Sequence, residues 1–401
     1  MEMHTHRHRK TNGCMSFYIK KNMKKVLFDG LATQGTKDKP FSGGSEYAIF
    51  LLKEIIELGY TPDIVFSNRL VTPPSVLGLL ETYPKNHVFY VERKEEVYSI
   101  IDNNKYDIFY SALPMQYRKY RGTAKFICVI HGLRSVELPW DDFRYVYEHT
   151  LKGRIGSKLI NLLPVLQQRL KRKHINQYAD LLNNENNHVI VVSNHTKYAL
   201  LNFFPNLKEN RVSVFYSPQK IIIEPIEGGN YFLMVNGNRY EKNTYRAIQV
   251  FDKLFSEGRL EDKKVIITGC GKQKFFTDMK NKERFDCKPY VSSEELEELY
   301  KNAFCFVYPS LNEGFGYPPV KAMGYGTPVI ASSATSIPEV CDDAALYFSP
   351  TNMDDMANRI LQIYYDDNLR NRLVNRGLQR IRSLRSVQEN ELSKYINTIF
   401  I

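Results

Sequence analysis

Apolar residues along this chain fall into two rhythms. Short, nearly unbroken runs rich in β-branched and aromatic side chains recur at 24–28, 63–66, 87–91, 106–111, 126–130, 189–192 and 211–215, and again at 231–235, 264–268, 304–308 and 327–331. Between them, apolar residues return at helical spacing, as in 46–58, 92–101, 193–204, 243–255 and 292–301. Runs without polar alternation suit strands buried on both faces, and their alternation with helices predicts an α/β chain of parallel, doubly wound sheets. The rhythm stops once. Residues 217–230 carry two prolines and a double glycine, so a linker is expected there, with a second α/β half restarting at 231. Two Rossmann-like domains follow, 24–216 and 231–384, with a last helix at about 387–400 crossing back from the second to the first.

Composition narrows the class. The 401 residues are 43% hydrophobic with 27 tyrosines and 23 phenylalanines, enough for globular cores in two or three domains. A net charge of +11 favours an anionic partner, whether nucleotide, acidic membrane or nucleic acid. Six scattered cysteines without a C-x-x-C pair read as reduced core thiols of a cytoplasmic protein. No apolar run approaches a membrane span, and no apolar segment follows the basic start as in a secretory signal. Residues 1–23 read as a disordered tail, with His4, His6 and His8 in alternation and Met23 as an alternative start. Segment 151–175 is a basic amphipathic helix, with Ile155, Leu159, Leu162, Leu163, Leu166 and Leu170 on one face and Pro164 as a kink or break. It either packs on its own domain or lies on an anionic membrane surface.

Candidate chemistry gathers at strand ends, where open α/β sheets bind ligands. Gly43 and Gly44 sit between the first strand and its helix, and His131 precedes a glycine just past the strand at 126–130. In the second half, Arg239 and Lys242 follow the first strand. A guanidinium fork and an ammonium together suit a phosphate pair. After the strand at 304–308 come Glu313, Gly314, Phe315 and Gly316, then Pro318 and Pro319 at a helix start. Free N–H groups at such a start favour an anion. Taken alone, these glycines make turns and these cations sit on a solvated surface equally well.

The wording of 309–348, PSLNEGFGYPPVKAMGYGTPVIAS with PEV and DAALYF beyond it, resembles the donor site of family 4 retaining glycosyltransferases, the glycosyl transferases group 1. That resemblance implies the GT-B fold, two Rossmann-like doubly wound domains facing a central cleft. It makes 24–216 the acceptor side and 231–384 the nucleotide-sugar-binding side. It implies transfer of a hexose from a UDP- or GDP-sugar to a glycan acceptor, with retention of configuration. The expected setting is cell-surface polysaccharide synthesis. On this pattern Glu313 and His131 meet the donor sugar, and Arg239 and Lys242 hold the diphosphate. The backbone at Tyr290 and Val291 meets the base, while Gly43 and Gly44 add N–H groups from the first domain. The donor is the substrate, no cofactor or metal is called for, there is no Asp-x-Asp motif, and no nucleic acid is expected.

The chain departs from the pattern twice. Relatives place a second glutamate eight residues after the first, where this chain has Lys321, read as lying in the first helical turn. Many also carry an arginine five residues before the lysine, where this chain has Gly237. An ammonium can only donate hydrogen bonds, so either it adds a third cation near the diphosphate or ribose recognition is rearranged or weakened. Alternatives are therefore a catalytically degenerate GT-B scaffold that binds membrane or polyanion, a GT-B nucleotide-sugar epimerase, and, more remotely, an NAD oxidoreductase, whose G-x-G-x-x-G turn is missing.

Overall fold

The computed structural model describes residues 23–36, 43–138, 140–217, 222–225 and 228–401. The histidine tail therefore lies outside the described residues, as do Ser42 and much of the expected linker. Contacts group the described chain into two units. One holds the residues up to Leu113 with Tyr120–Cys128 and Leu392–Ile401; the other holds Pro114–Lys119 and Val129–Glu391.

Thirteen strands form two sheets among the described residues. The first is built from β1 (Val26–Asp29), β2 (Asp63–Ser67), β3 (Val88–Val91), β4 (Ile108–Ser111), β5 (Lys125–Ile130), β6 (His188–Val191) and β7 (Val212–Val214), in the order β3-β2-β1-β4-β5-β6-β7. The second is built from β8 (Tyr231–Met234), β9 (Lys264–Ile267), β10 (Phe285–Cys287), β11 (Cys305–Tyr308), β12 (Val329–Ser332) and β13 (Ala345–Phe348), in the order β10-β9-β8-β11-β12-β13. Every pairing in the second sheet is parallel. All four residues of each of β1, β4, β11 and β12 are buried, as unbroken apolar runs require. The core of the second sheet is largely aromatic, with Phe232 packed on Phe251 and Phe304 at centroid distances of 5.0 and 5.3 Å.

Strand order reverses direction between β8 and β11. Connections on either side of that point leave in opposite directions, so the loops after β8 and β11 open a crevice at the strand ends. The loop after β8 runs into helix Thr244–Ser256, and the loop after β11 into helix Tyr317–Gly324. Leu311 N donates to the Glu241 carbonyl at 2.7 Å, and Asn243 Nδ2 donates to the Pro309 carbonyl at 3.0 Å, so the two loops hold each other.

Several helices differ from the sequence reading. Helix Gly43–Glu57 takes in the two glycines expected in the preceding loop. Segment 151–175 is two helices, Leu151–Leu162 and Pro164–Leu182. Pro164 cannot donate to the helix before it and starts the next one instead. Thr150 caps the first of these, accepting from Gly153 N at 3.0 Å. The C-terminal segment is one 34-residue helix, Asp367–Phe400, not two. No glycine or proline after Gly377 interrupts it. Among the described residues no helix is long and apolar enough to cross a membrane.

Candidate functional site

At the crevice between β8 and β11 lies a buried ion pair. Lys242 Nζ stands 2.6 Å from Glu313 Oε1 and donates to Tyr308 Oη at 3.1 Å. Both members of the pair are more than nine-tenths covered. Ser310 Oγ donates to the same carboxylate oxygen at 2.5 Å. Burial pushes the Glu313 carboxyl up, but the Lys242 and Arg134 charges outweigh it and hold the group below its ordinary range, so it is ionised. Burial also works against the Lys242 ammonium, and Glu313 opposes that effect. Burial raises the Tyr308 phenol far above its usual range, so it stays neutral beside the pair.

The Glu313 loop is held from beneath. Thr335 Oγ1 accepts from Glu313 N at 2.9 Å, and Ser336 Oγ donates to the Glu313 and Phe315 carbonyls at 3.0 Å each. Phe315 is buried against Tyr216 and Tyr317. Gly314 packs on the backbone of His131 and Gly132, and a Cβ there would fall inside the His131 carbonyl oxygen. Its own carbonyl accepts from Ser193 Oγ at 2.7 Å. Gly316 takes φ +103° and caps the helix that follows, a left-handed position that suits glycine.

A second charged group adjoins this pair. Glu241 Oε1 accepts from Arg134 Nη1 at 2.7 Å and from Arg239 Nε at 2.7 Å. Burial raises the Glu241 carboxyl, yet the two guanidinium charges bring it below its ordinary range. Three cations, Arg134, Arg239 and Lys242, thus face two carboxylates, leaving one net positive charge at the strand ends.

The structure brings together His131, Arg239, Lys242, Glu313, Gly314, Phe315 and Gly316. Lys321 is placed differently. It lies in the last turn of helix Tyr317–Gly324, not the first, because the helix starts at Tyr317. There its charge agrees with the helix dipole. Its Nζ is 3.8 Å from Glu297 and 5.9 Å from the Tyr300 ring centre, both on helix Ser293–Lys301. Tyr290 is 68% exposed and, with Val291, lies between β10 and that helix. Gly43 and Gly44 belong to the first unit, where a Cβ on Gly44 would meet Leu113. Sequence reasoning missed Arg134, Glu241 and Tyr308 as parts of the site. Arg134 follows His131 by three residues and Glu241 adjoins Lys242, so their positions at strand ends were the available signal.

This fold is that of the GT-B glycosyltransferases. Sucrose-phosphate synthase from Thermosynechococcus elongatus matches with a TM-score of 0.66 over 94% of this chain and 99% of that one, at 14% identity. Residues 218–380 match the family model described as glycosyl transferases group 1. Among curated relatives, the O-antigen chain mannosyltransferase RfbU of Salmonella typhimurium is 34% identical over 172 residues, 41% of this chain and 47% of that protein. The O-antigen chain mannosyltransferase B of Escherichia coli is 47% identical over 89 residues, 22% of this chain and 23% of that protein. The matched stretches thus span about half of the first relative and less than a quarter of the second.

Proposed function

We propose that this protein is a glycosyltransferase of cell-surface polysaccharide synthesis. It moves a hexose from a UDP- or GDP-sugar to a glycan acceptor with retention of configuration. The named relatives are O-antigen mannosyltransferases, which favours mannose as the hexose. The carrying observation is the buried Lys242–Glu313 pair at the point where the second sheet reverses its strand order. Departure of a nucleoside diphosphate needs charge stabilisation at the leaving oxygens, and fixed cations supply it without solvent rearrangement. In this reading Lys242 and Arg239 face the diphosphate. Glu313 accepts hydrogen bonds from the sugar hydroxyls and orients the anomeric carbon, and His131 approaches the sugar from the β5 end. Gly314, Phe315 and Gly316 bring backbone close to the donor, Tyr290 and Val291 lie towards the base, and Gly43 and Gly44 add N–H groups. No resident cofactor takes part. In this reading the protein works at the anionic inner face of a membrane, where a lipid-linked acceptor would be met; the exposed apolar face of helix Leu151–Leu162, with Lys152 and Lys158 beside it, supports that.

Lys321 favours a second reading, a degenerate transferase that has lost ribose recognition, because its ammonium engages Glu297 on the neighbouring helix. Calorimetric titration with UDP, GDP and their sugars, with EDTA present, separates the two. Micromolar binding of one nucleotide, weakened at least tenfold in Lys242→Ala, is the expected result for a transferase. Binding that appears only in Lys321→Glu would identify the degenerate form. A folded sample of both that binds no nucleotide would overturn the donor-site reading altogether.

A further inference from the structure

We propose that Arg134 is a further donor-binding residue, whose guanidinium takes oxygens of the donor's diphosphate. This rests on the donor-site reading above and assigns to it a residue from a different strand end.

Position 237 has no room for a side chain. A Cβ on Gly237 would stand 2.8 Å from Ile267 Cγ2 and 3.3 Å from the Phe276 ring. Its N–H is tied to the Thr268 carbonyl at 2.9 Å, so the backbone cannot easily withdraw. A cation for this corner must come from elsewhere. Arg239 is one source, and it shares Glu241 Oε1 with Arg134.

Arg134 is the other source. It opens the short helix Arg134–Glu137 immediately after Gly132 and Leu133, and Gly132 is the residue on which Gly314 packs. Its Nη1 donates to Glu241 at 2.7 Å, on the carboxylate oxygen that Arg239 also holds. Its Nε is buried and has no hydrogen-bond partner among the described residues. A buried, unpartnered donor on a charged group is costly, and such groups in native proteins usually serve a ligand or an unseen partner. The side chain as a whole is 40% exposed, so the guanidinium also has an open edge. A planar fork with one N–H committed and others uncommitted suits a diphosphate, which offers acceptor oxygens on two adjacent phosphorus atoms.

A purely structural ion pair, pinning the segment after β5 to Glu241, would use the same 2.7 Å contact. It would leave the Nε unexplained, and the two roles give different readouts. A structural arginine alters melting temperature and affects all nucleotides alike. A diphosphate ligand alters the preference for diphosphate over monophosphate.

The test is calorimetric titration of the full chain and of Arg134→Gln and Arg134→Lys with UDP, GDP, UMP and GMP. Arg134→Gln should weaken the preferred nucleoside diphosphate by about ten- to a hundredfold, the worth of a charge-assisted contact, and leave the monophosphate unchanged. Arg134→Lys keeps the charge but not the fork and should retain only part of the preference. A diphosphate-to-monophosphate ratio equal to the parent's in folded Arg134→Gln would overturn the proposal and leave the donor site standing. Should Arg134→Gln fail to fold, a parental ratio in Arg134→Lys would overturn it equally. Failure of the parent itself to bind either diphosphate would overturn the donor site, and this proposal with it.

Discussion

Glu313 shows how a single side chain joins stability to chemistry. Its carboxylate has one ammonium at 2.6 Å and one hydroxyl at 2.5 Å, under cover that excludes most water. Removing one member of such a pair leaves the other charge buried and alone, at a cost of about 3–5 kcal/mol. Because the folded state holds this carboxyl below its ordinary 4.5, the contribution is fully present above that value and is lost as pH falls through the lower folded value. Glu313→Gln should therefore melt well below the parent at pH 6–8. The gap should narrow as pH falls from 4.5 through the lower folded value, where the folded parent's carboxyl takes up its proton. Paired thermal melts across that range check this, and a gap that stays constant into acid would mean that Glu313 is not ionised in the fold. That Lys242 and Glu313 lie at strand ends was legible, because both follow apolar strands, but their pairing was not expected. The Arg134–Glu241 contact was not, since its partners lie 107 residues apart and leave no local period.

Among the elements, buried strands were the easiest to read and exposed helices the hardest. A strand covered on both faces writes itself as an apolar run, as in β11 and β12, whereas β10 has only three residues, Phe-Asp-Cys, none of them buried. The sequence showed the amphipathic face of 151–175, and two packings satisfy such a face. Leu151, Ile155, Leu159 and Leu162 are 75%, 52%, 50% and 74% exposed on one side of helix Leu151–Leu162, so this side is left uncovered among the described residues. Apolar side chains with lysines alongside bind an anionic interface by burial and charge together. The parent should co-sediment with vesicles of phosphatidylglycerol and phosphatidylcholine and be released by salt. A variant with all four residues changed to serine should bind at least tenfold more weakly, while its stability stays within about 0.5 kcal/mol per site, because no core contact is lost. Equal co-sedimentation of parent and variant would remove the membrane from the proposed function.

At the scale of the whole chain, its last turns complete its first unit. Lys24 N donates to the Phe400 carbonyl at 3.0 Å, beside the start of β1. The Tyr395 hydroxyl meets those of Tyr47 and Tyr110 at 2.5 and 2.7 Å, on the first helix and on β4. Tyr395, Ile396, Ile399 and Phe400 are all buried. The expectation of a separate last helix failed because helix Asp367–Phe400 has no break, yet its consequence is larger than a boundary. The helix contributes residues up to Glu391 to the second unit and Leu392–Phe400 to the first. Burying four such side chains contributes about 6–12 kcal/mol, comparable to the net stability of a typical domain at about 5–15 kcal/mol. A chain ending at Glu391 should therefore lose the first unit's cooperative melt and expose it to limited proteolysis, with cuts before Leu113. The second unit, whose sheet and Lys242–Glu313 pair lie within Val129–Glu391, should keep its own transition. A truncated chain that melted and resisted protease as the full chain does would show that the first unit is held by its own sheet alone.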